Sequence, residues 1–119
     1  MLTISRKELQ ELLVSCPDLK LVEVLSETDF QKFHLQGAIN IPLGDFFCEQ
    51  ILQEIPDKTQ TVVVYSLNYE CKYSEQATQQ MLQLGYQRVY DYEPGKIDWI
   101  AAHLPTEYGH HITNRSEIP

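Results

Sequence analysis

Thr61-Val62-Val63-Val64-Tyr65-Ser66-Leu67-Asn68-Tyr69-Glu70-Cys71-Lys72-Tyr73 is the stretch on which the fold turns. Its first five residues are apolar or β-branched, as a strand covered on both faces requires. A polar loop follows from Ser66 to Tyr73. A helix is then predicted from near Ser74, with Ala77, Met81, Leu82 and Leu84 apolar and Gly85 placed for a left-handed C-terminal cap. A strand that empties through a short loop into a helix turns unpaired backbone N–H groups and a positive dipole end on the loop's contents. That geometry suits an oxyanion, or a thiolate that must be kept deprotonated. Cys71 lies inside this loop.

The elements on either side repeat the alternation. Thr3-Ile4 reads as a short strand, and Ser5-Arg6-Lys7-Glu8 is a capping-box pattern ahead of a helix carrying Leu9, Leu12, Leu13 and Cys16, stopped by Pro17. Leu19 to Leu25 is strand-like, and Ser26 opens a short helix through Phe33. Ala38 to Ile41 is a strand halted by Pro42, and a helical segment from Leu43 to Ile55 ends before Pro56. Arg88 to Tyr92 is the last strand and Gly95 to Ala102 the last helix. Strands alternating with helices at short spacing predict an α/β fold with a mostly parallel sheet. Ligands bind such sheets outside the carboxyl ends of the strands, which is where the Ser66–Tyr73 loop falls.

At 119 residues the chain has the length of one domain. Residues 1–107 are read as that domain, and residues 108–119, which lack periodicity, as a mobile tail. The three cysteines, Cys16, Cys48 and Cys71, form no CxxC pair and no zinc-ligand pattern, so a reducing, cytoplasmic setting is expected and no metal site. The basic residues Arg6 and Lys7 are followed by no apolar run, so no secretory signal is read, nor any membrane span. A formal charge of −8 argues against nucleic acid and anionic membranes as partners. It also slows small dianions unless a local positive spot offsets it, and Lys72 is the one basic residue in the loop.

Two further segments, His34-Leu35-Gln36-Gly37-Ala38-Ile39-Asn40-Ile41-Pro42 and Gly95-Lys96-Ile97-Asp98-Trp99, complete a resemblance to the rhodanese-like (sulfurtransferase) domain family. It spans Ser5 to Glu107. The first segment matches the family's H-x-x-G-A-x-x-I-P at every fixed position and the second its G-x-x-x-W, with Leu104-Pro105 following. The resemblance implies a five-stranded, mostly parallel sheet flanked by helices, no cofactor, and a small sulfur-containing anion or thiol as substrate, with room for a protein partner. It also implies a sulfur-accepting cysteine directly after the strand, and there this chain has Ser66. Val22-Glu23-Val24-Leu25 stands where many members read I-D-V-R, so an arginine near the site is missing. The loop is closer to a subgroup with Y-C-x-x-x-x-C-x-x-S; Tyr65, Cys71 and Ser74 fit that pattern and Ser66 breaks it.

A serine hydroxyl ionises far higher than a thiol and cannot form a persulfide, and no Ser/His/Asp set is legible that would activate Ser66. Cys71 is therefore the candidate persulfide cysteine, with Asn68, Lys72 and Ser74 as the anion-binding part of the loop. Ser66 and Lys72 also have the spacing of the C-x5-R signature of the cell-cycle dual-specificity phosphatases, which share this fold, but both ends are changed. Lysine offers an anion a point charge without arginine's fork. The leading expectation is an accessory or degenerate sulfurtransferase with weak or no thiosulfate:cyanide activity. The alternative is a non-catalytic interaction or anion-binding module. Cys16 and Cys48 are expected on apolar helical stripes, His34 in a structural hydrogen bond, Trp99 in the core, and Tyr69 and Tyr73 at the rim of a pocket. His103 and His110-His111 are read as incidental, and Tyr90-Asp91-Tyr92-Glu93 as a lead into the following loop.

Overall fold

The computed structural model describes residues 2–109. Of the predicted tail, residues 108–119, the part from His110 onward, with the His110-His111 pair, lies outside the described residues. The tail's first two positions are placed: Tyr108 is exposed, and the Gly109 N–H donates to Gln31 O at 2.8 Å.

The chain runs β1 (Leu2–Ile4), α1 (Arg6–Ser15), β2 (Lys20–Glu23), α2 (Glu27–Lys32), β3 (His34–Leu35), β4 (Ile39–Asn40), α3 (Phe47–Glu54), β5 (Thr61–Tyr65), α4 (Tyr73–Gln83), β6 (Arg88–Tyr92), α5 (Gly95–Ala101) and β7 (Thr106–Glu107). Five strands form one sheet in the order β1-β6-β5-β2-β4, parallel throughout, and β3 pairs antiparallel with β7 in a separate two-stranded sheet. β5 lies at the centre, and its alternation explains why its sequence is apolar without a break. Val62 and Val64 face a layer with Phe47, Ile51, Ala77 and Met81 from α3 and α4, while Val63 and Tyr65 face Leu9 and Trp99 from α1 and α5. Removing both faces from water leaves no position for a polar side chain at Val62, Val63 or Val64.

The helix ends follow local chemistry. Ser5 and Glu8 form the capping box in both directions, at 2.8 and 3.1 Å. After α4, Gly85 takes φ +99°, the Gly85 N–H donates to Leu82 O and the Tyr86 N–H to Met81 O, which is a Schellman motif.

Four elements differ from expectation. The strand expected over 38–41 is a two-residue ladder, although the Ile41 and Leu43 N–H groups carry the pairing on to Glu23 O and Val24 O. α3 begins at Phe47, not near Leu43, because Phe46 holds a non-helical backbone and a turn closes from Gly44 O to the Phe47 N–H. β3 and β7 were not expected at all. Each is two residues long, and their pairing joins positions about seventy residues apart, so no local pattern announces it. Among the described residues, no helix is long and apolar enough to cross a membrane.

Candidate functional site

The loop between β5 and α4 starts on a fixed floor. Ser66 O accepts the Lys96 N–H at 3.0 Å, and Leu67 O accepts the Ile97 N–H at 3.1 Å, so the first turn of α5 holds the loop's entry by its backbone. Gly95 makes this approach feasible. It sits at φ +74°, and a Cβ there would fall 2.5 Å from Leu67 C and O and 2.7 Å from Asn68 N.

Above this floor the loop folds back on itself. The Cys71 N–H donates to Asn68, with Oδ1 at 3.1 Å and the backbone O at 3.2 Å. The Ser66 hydroxyl makes a long contact of 3.5 Å to Cys71 O and is buried, with 1 % of its surface exposed. Lys72 is the N-cap residue of α4, and its side chain makes no capping hydrogen bond to that helix. The Tyr73 ring and Lys72 are exposed, as is Tyr69. Asn68, Cys71 and Lys72 therefore share one loop ahead of an uncapped helix start. Asn68 is turned inward to hold the Cys71 amide, so its own carbonyl oxygen is committed within the loop.

Ser74 is placed differently from the expectation that groups it with Lys72. It is the second residue of α4, buried against the sheet, where its hydroxyl stabilises the carboxyl of Asp91 and its carbonyl accepts the Thr78 hydroxyl at 2.8 Å. Asp91 itself was missed. It lies in β6 as read, paired with Val64; its burial is what the sequence reading passed over. Its Oδ1 is the buried side-chain oxygen without a hydrogen-bond partner among the described residues. Burial pushes the Asp91 carboxyl above the ordinary carboxylate range, helped by Glu93 and Glu75 and opposed by the Ser74 hydroxyl and Lys72. The signal for it was an acidic residue in phase with Val89 on the covered face of a strand.

A second buried charge was also passed over. The Lys96 ammonium reaches Glu23 Oε2 at 2.9 Å and donates to Asp29 O and Phe33 O, both at 2.8 Å. Glu23 Oε1 accepts the Tyr65 hydroxyl at 2.8 Å, and that hydroxyl in turn accepts the Leu35 N–H at 3.1 Å. Burial raises the Glu23 carboxyl, with the Lys96 ammonium and the Tyr65 hydroxyl acting against it; burial also pushes the Tyr65 phenol well up. Tyr65 thus lies beneath the sheet's end in this network, apart from the exposed Tyr69 and Tyr73.

Cys16, Cys48 and Cys71 are all half-buried, so exposure does not separate them. The Cys48 thiol faces Gln80 Oε1 at 3.6 Å and the Cys16 thiol faces Asp18 Oδ1 at 3.5 Å. Position alone distinguishes Cys71, one residue ahead of the N-cap of α4. Trp99 is in the core with its indole N–H donating to Pro105 O at 2.8 Å.

A family model for the rhodanese-like domain matches residues 5–102. The chain is 26% identical over 96 residues to the putative sulfur carrier protein YrkF of Bacillus subtilis, covering 81% of this chain and 49% of that protein. It is 38% identical over 68 residues to the thiosulfate sulfurtransferase PspE of Escherichia coli, covering 57% of this chain and 62% of that one. The chain thus spans less than two thirds of the length of either relative. Among solved structures, a rhodanese-like domain from Anabaena superposes with a TM-score of 0.80 at 21% identity, over 92% of this chain and 81% of the other. A rhodanese with anions from E. coli superposes with a TM-score of 0.64 at 33% identity, over 76% of this chain and 99% of the other.

Proposed function

The chain belongs to the rhodanese-like domain family, and on that premise we propose that it is an accessory sulfurtransferase of the cytoplasm, carrying sulfane sulfur on Cys71. The observation behind this reading is the place of Cys71, a half-buried thiol in the β5–α4 loop, directly ahead of the uncapped start of an 11-residue helix. The partial positive charge there favours a thiolate over a thiol. In the forward step the Cys71 thiolate attacks the outer sulfur of a donor such as thiosulfate. A sulfur–sulfur bond to Cys71 forms as the donor's own breaks, and sulfite leaves with the electron pair. An acceptor thiolate then attacks the outer sulfur of the persulfide, and Cys71 departs as the thiolate. Lys72 and the amides of the first turn of α4 balance the negative charge of the donor.

Ser66 sets the level of activity. Standing where the family's acceptor cysteine stands, it forms no persulfide, so thiosulfate:cyanide turnover is weak or absent. The same serine supports a second reading, a non-catalytic interaction or anion-binding module that keeps the fold.

Mass spectrometry of the protein after incubation with thiosulfate or a small-molecule persulfide separates the two. One added sulfur on the peptide carrying Cys71, lost in Cys71→Ala, is the expected result. Ser66→Cys should in addition raise turnover of thiosulfate with cyanide. Absence of the adduct, or an adduct on Cys16 or Cys48 in its place, overturns the sulfur-carrier reading and leaves the module.

A further inference from the structure

Away from the loop, a cavity of about 590 Å³ opens at the free edge of the sheet, beside β4, and no residue of the Ser66–Tyr73 loop lines it. Its lining includes His34 and Glu107, which face each other in the β3–β7 pair. The His34 ring is 2 % exposed and stacks on Phe30, with ring centroids 3.7 Å apart and planes 6° from parallel. Its Nδ1 lies 2.8 Å from Phe30 O, and a carbonyl oxygen only accepts, so Nδ1 carries the proton. Burial holds the ring below its ordinary pKa, against the pull of the Phe30 carbonyl and Glu107 and with the help of the Lys96 charge, so the neutral form prevails near pH 7.

Nε2 of the neutral ring is then an acceptor, and it faces another acceptor. Glu107 Oε1 lies 3.7 Å away, held by the Gly37 N–H at 3.2 Å. Two acceptors facing each other at a cavity wall are both satisfied by a donor placed between them. Glu27 adds a second carboxylate to the lining, while Ile39 and Pro42 supply an apolar wall. Among the described residues, no three His, Cys, Asp or Glu side chains converge in a way that could hold a metal ion. The complement of this lining is an organic cation that carries its own N–H donors on a short apolar stem, and a chain of net charge −8 attracts such cations.

We propose that the cavity beside β4 binds an alkylguanidinium or alkylammonium group, whose N–H donors bridge His34 Nε2 and the Glu107 carboxylate while its stem packs on Ile39 and Pro42. This site is independent of the sulfur chemistry assigned to Cys71.

The test is a titration of the isotope-labelled full chain, followed by two-dimensional NMR near neutral pH and at matched ionic strength. Three probes are compared: n-butylguanidinium, which has charge and N–H donors; n-butyltrimethylammonium, which has charge alone; and n-butylurea, which has donors alone. Saturable shifts of the His34 ring and the Gly37 amide are expected with n-butylguanidinium, with a Kd on the order of 1 mM. The other two probes should bind at least about tenfold more weakly, as should n-butylguanidinium to Glu107→Gln, since each lacks the charge-assisted hydrogen bond. Equal binding of n-butyltrimethylammonium would reduce the effect to general attraction by an acidic chain and overturn the proposal. So would equal binding of n-butylurea, or the absence of saturable shifts at His34 and Gly37. The three probes are compared on the wild-type chain, so the proposal stands or falls there even if Glu107→Gln does not fold.

Discussion

Asp91 lies inside β6 and Ser66 directly after the adjacent β5, and each departs from what its surroundings call for. Asp91 carries a buried carboxyl with one oxygen unpartnered among the described residues. An acid whose folded pKa lies above its unfolded value is penalised wherever it must ionise in the folded state. For Asp91 the penalty is absent below the unfolded value of 3.8, grows as pH rises above it, and is complete only once pH exceeds the raised folded value. Asp91→Asn removes the ionisation and should raise stability near pH 7, by about 1.4 kcal/mol for each unit by which the fold raises the Asp91 pKa. Urea midpoints measured across pH check the sign: the advantage of the variant should shrink as pH falls towards 4. An advantage that widens on acidification would mean that the ionised carboxylate is well served in the fold. Neither this residue nor the Glu23–Lys96 pair was legible as a buried charge. Single sequence positions state which groups are polar, but only the packed structure states which of them lose water.

Elements were legible to the degree that their cause is local. β5 and β6 appear over the residues read for them, because a β-branched run bounded by polar residues has few alternatives. The capping box before α1 and the glycine after α4 fixed those ends for the same reason. α3 was read four residues too early, since apolar spacing continues through Leu43 and Phe46 while the backbone there turns. Gly95 links two elements, seating α5 against the entry of the site loop. Gly95→Ala would push a methyl group into Leu67 and impose a strained φ, at a cost of about 2–4 kcal/mol. Urea unfolding measures this, and the rate of Cys71 labelling by iodoacetamide should change with it, because the Ser66 O and Leu67 O bonds to α5 cannot both survive. A loss within about 0.5 kcal/mol, the range of an ordinary surface change, would show that the loop is not seated on this helix.

At the scale of the molecule, the Glu23–Lys96 pair joins residues 73 positions apart and ties β2 and α5 to the carbonyls that end α2. Such a pair is costly to desolvate, and its partners depend on one another. Lys96→Met leaves the Glu23 carboxylate buried with only the Tyr65 hydroxyl, and should cost about 3–5 kcal/mol. Glu23→Gln in the same chain removes the stranded charge yet keeps an acceptor for Tyr65. The double variant should therefore be more stable than Lys96→Met alone by about 0.5–3 kcal/mol, the range of coupling between residues in contact. It should not return to wild type, because Asp29 O and Phe33 O would still lack their donor. The consequence reaches the site, since Lys96 holds Ser66 O through its own backbone N–H while its side chain holds the core. Loosening the pair should thus quicken Cys71 labelling in Lys96→Met and restore it in part in the double variant. A double-mutant cycle by urea unfolding, with labelling read on the same four proteins, tests both. Strict additivity of the two stability losses would mean that the pair is not a unit. Labelling indifferent to both changes would mean that the loop is held by something other than α5.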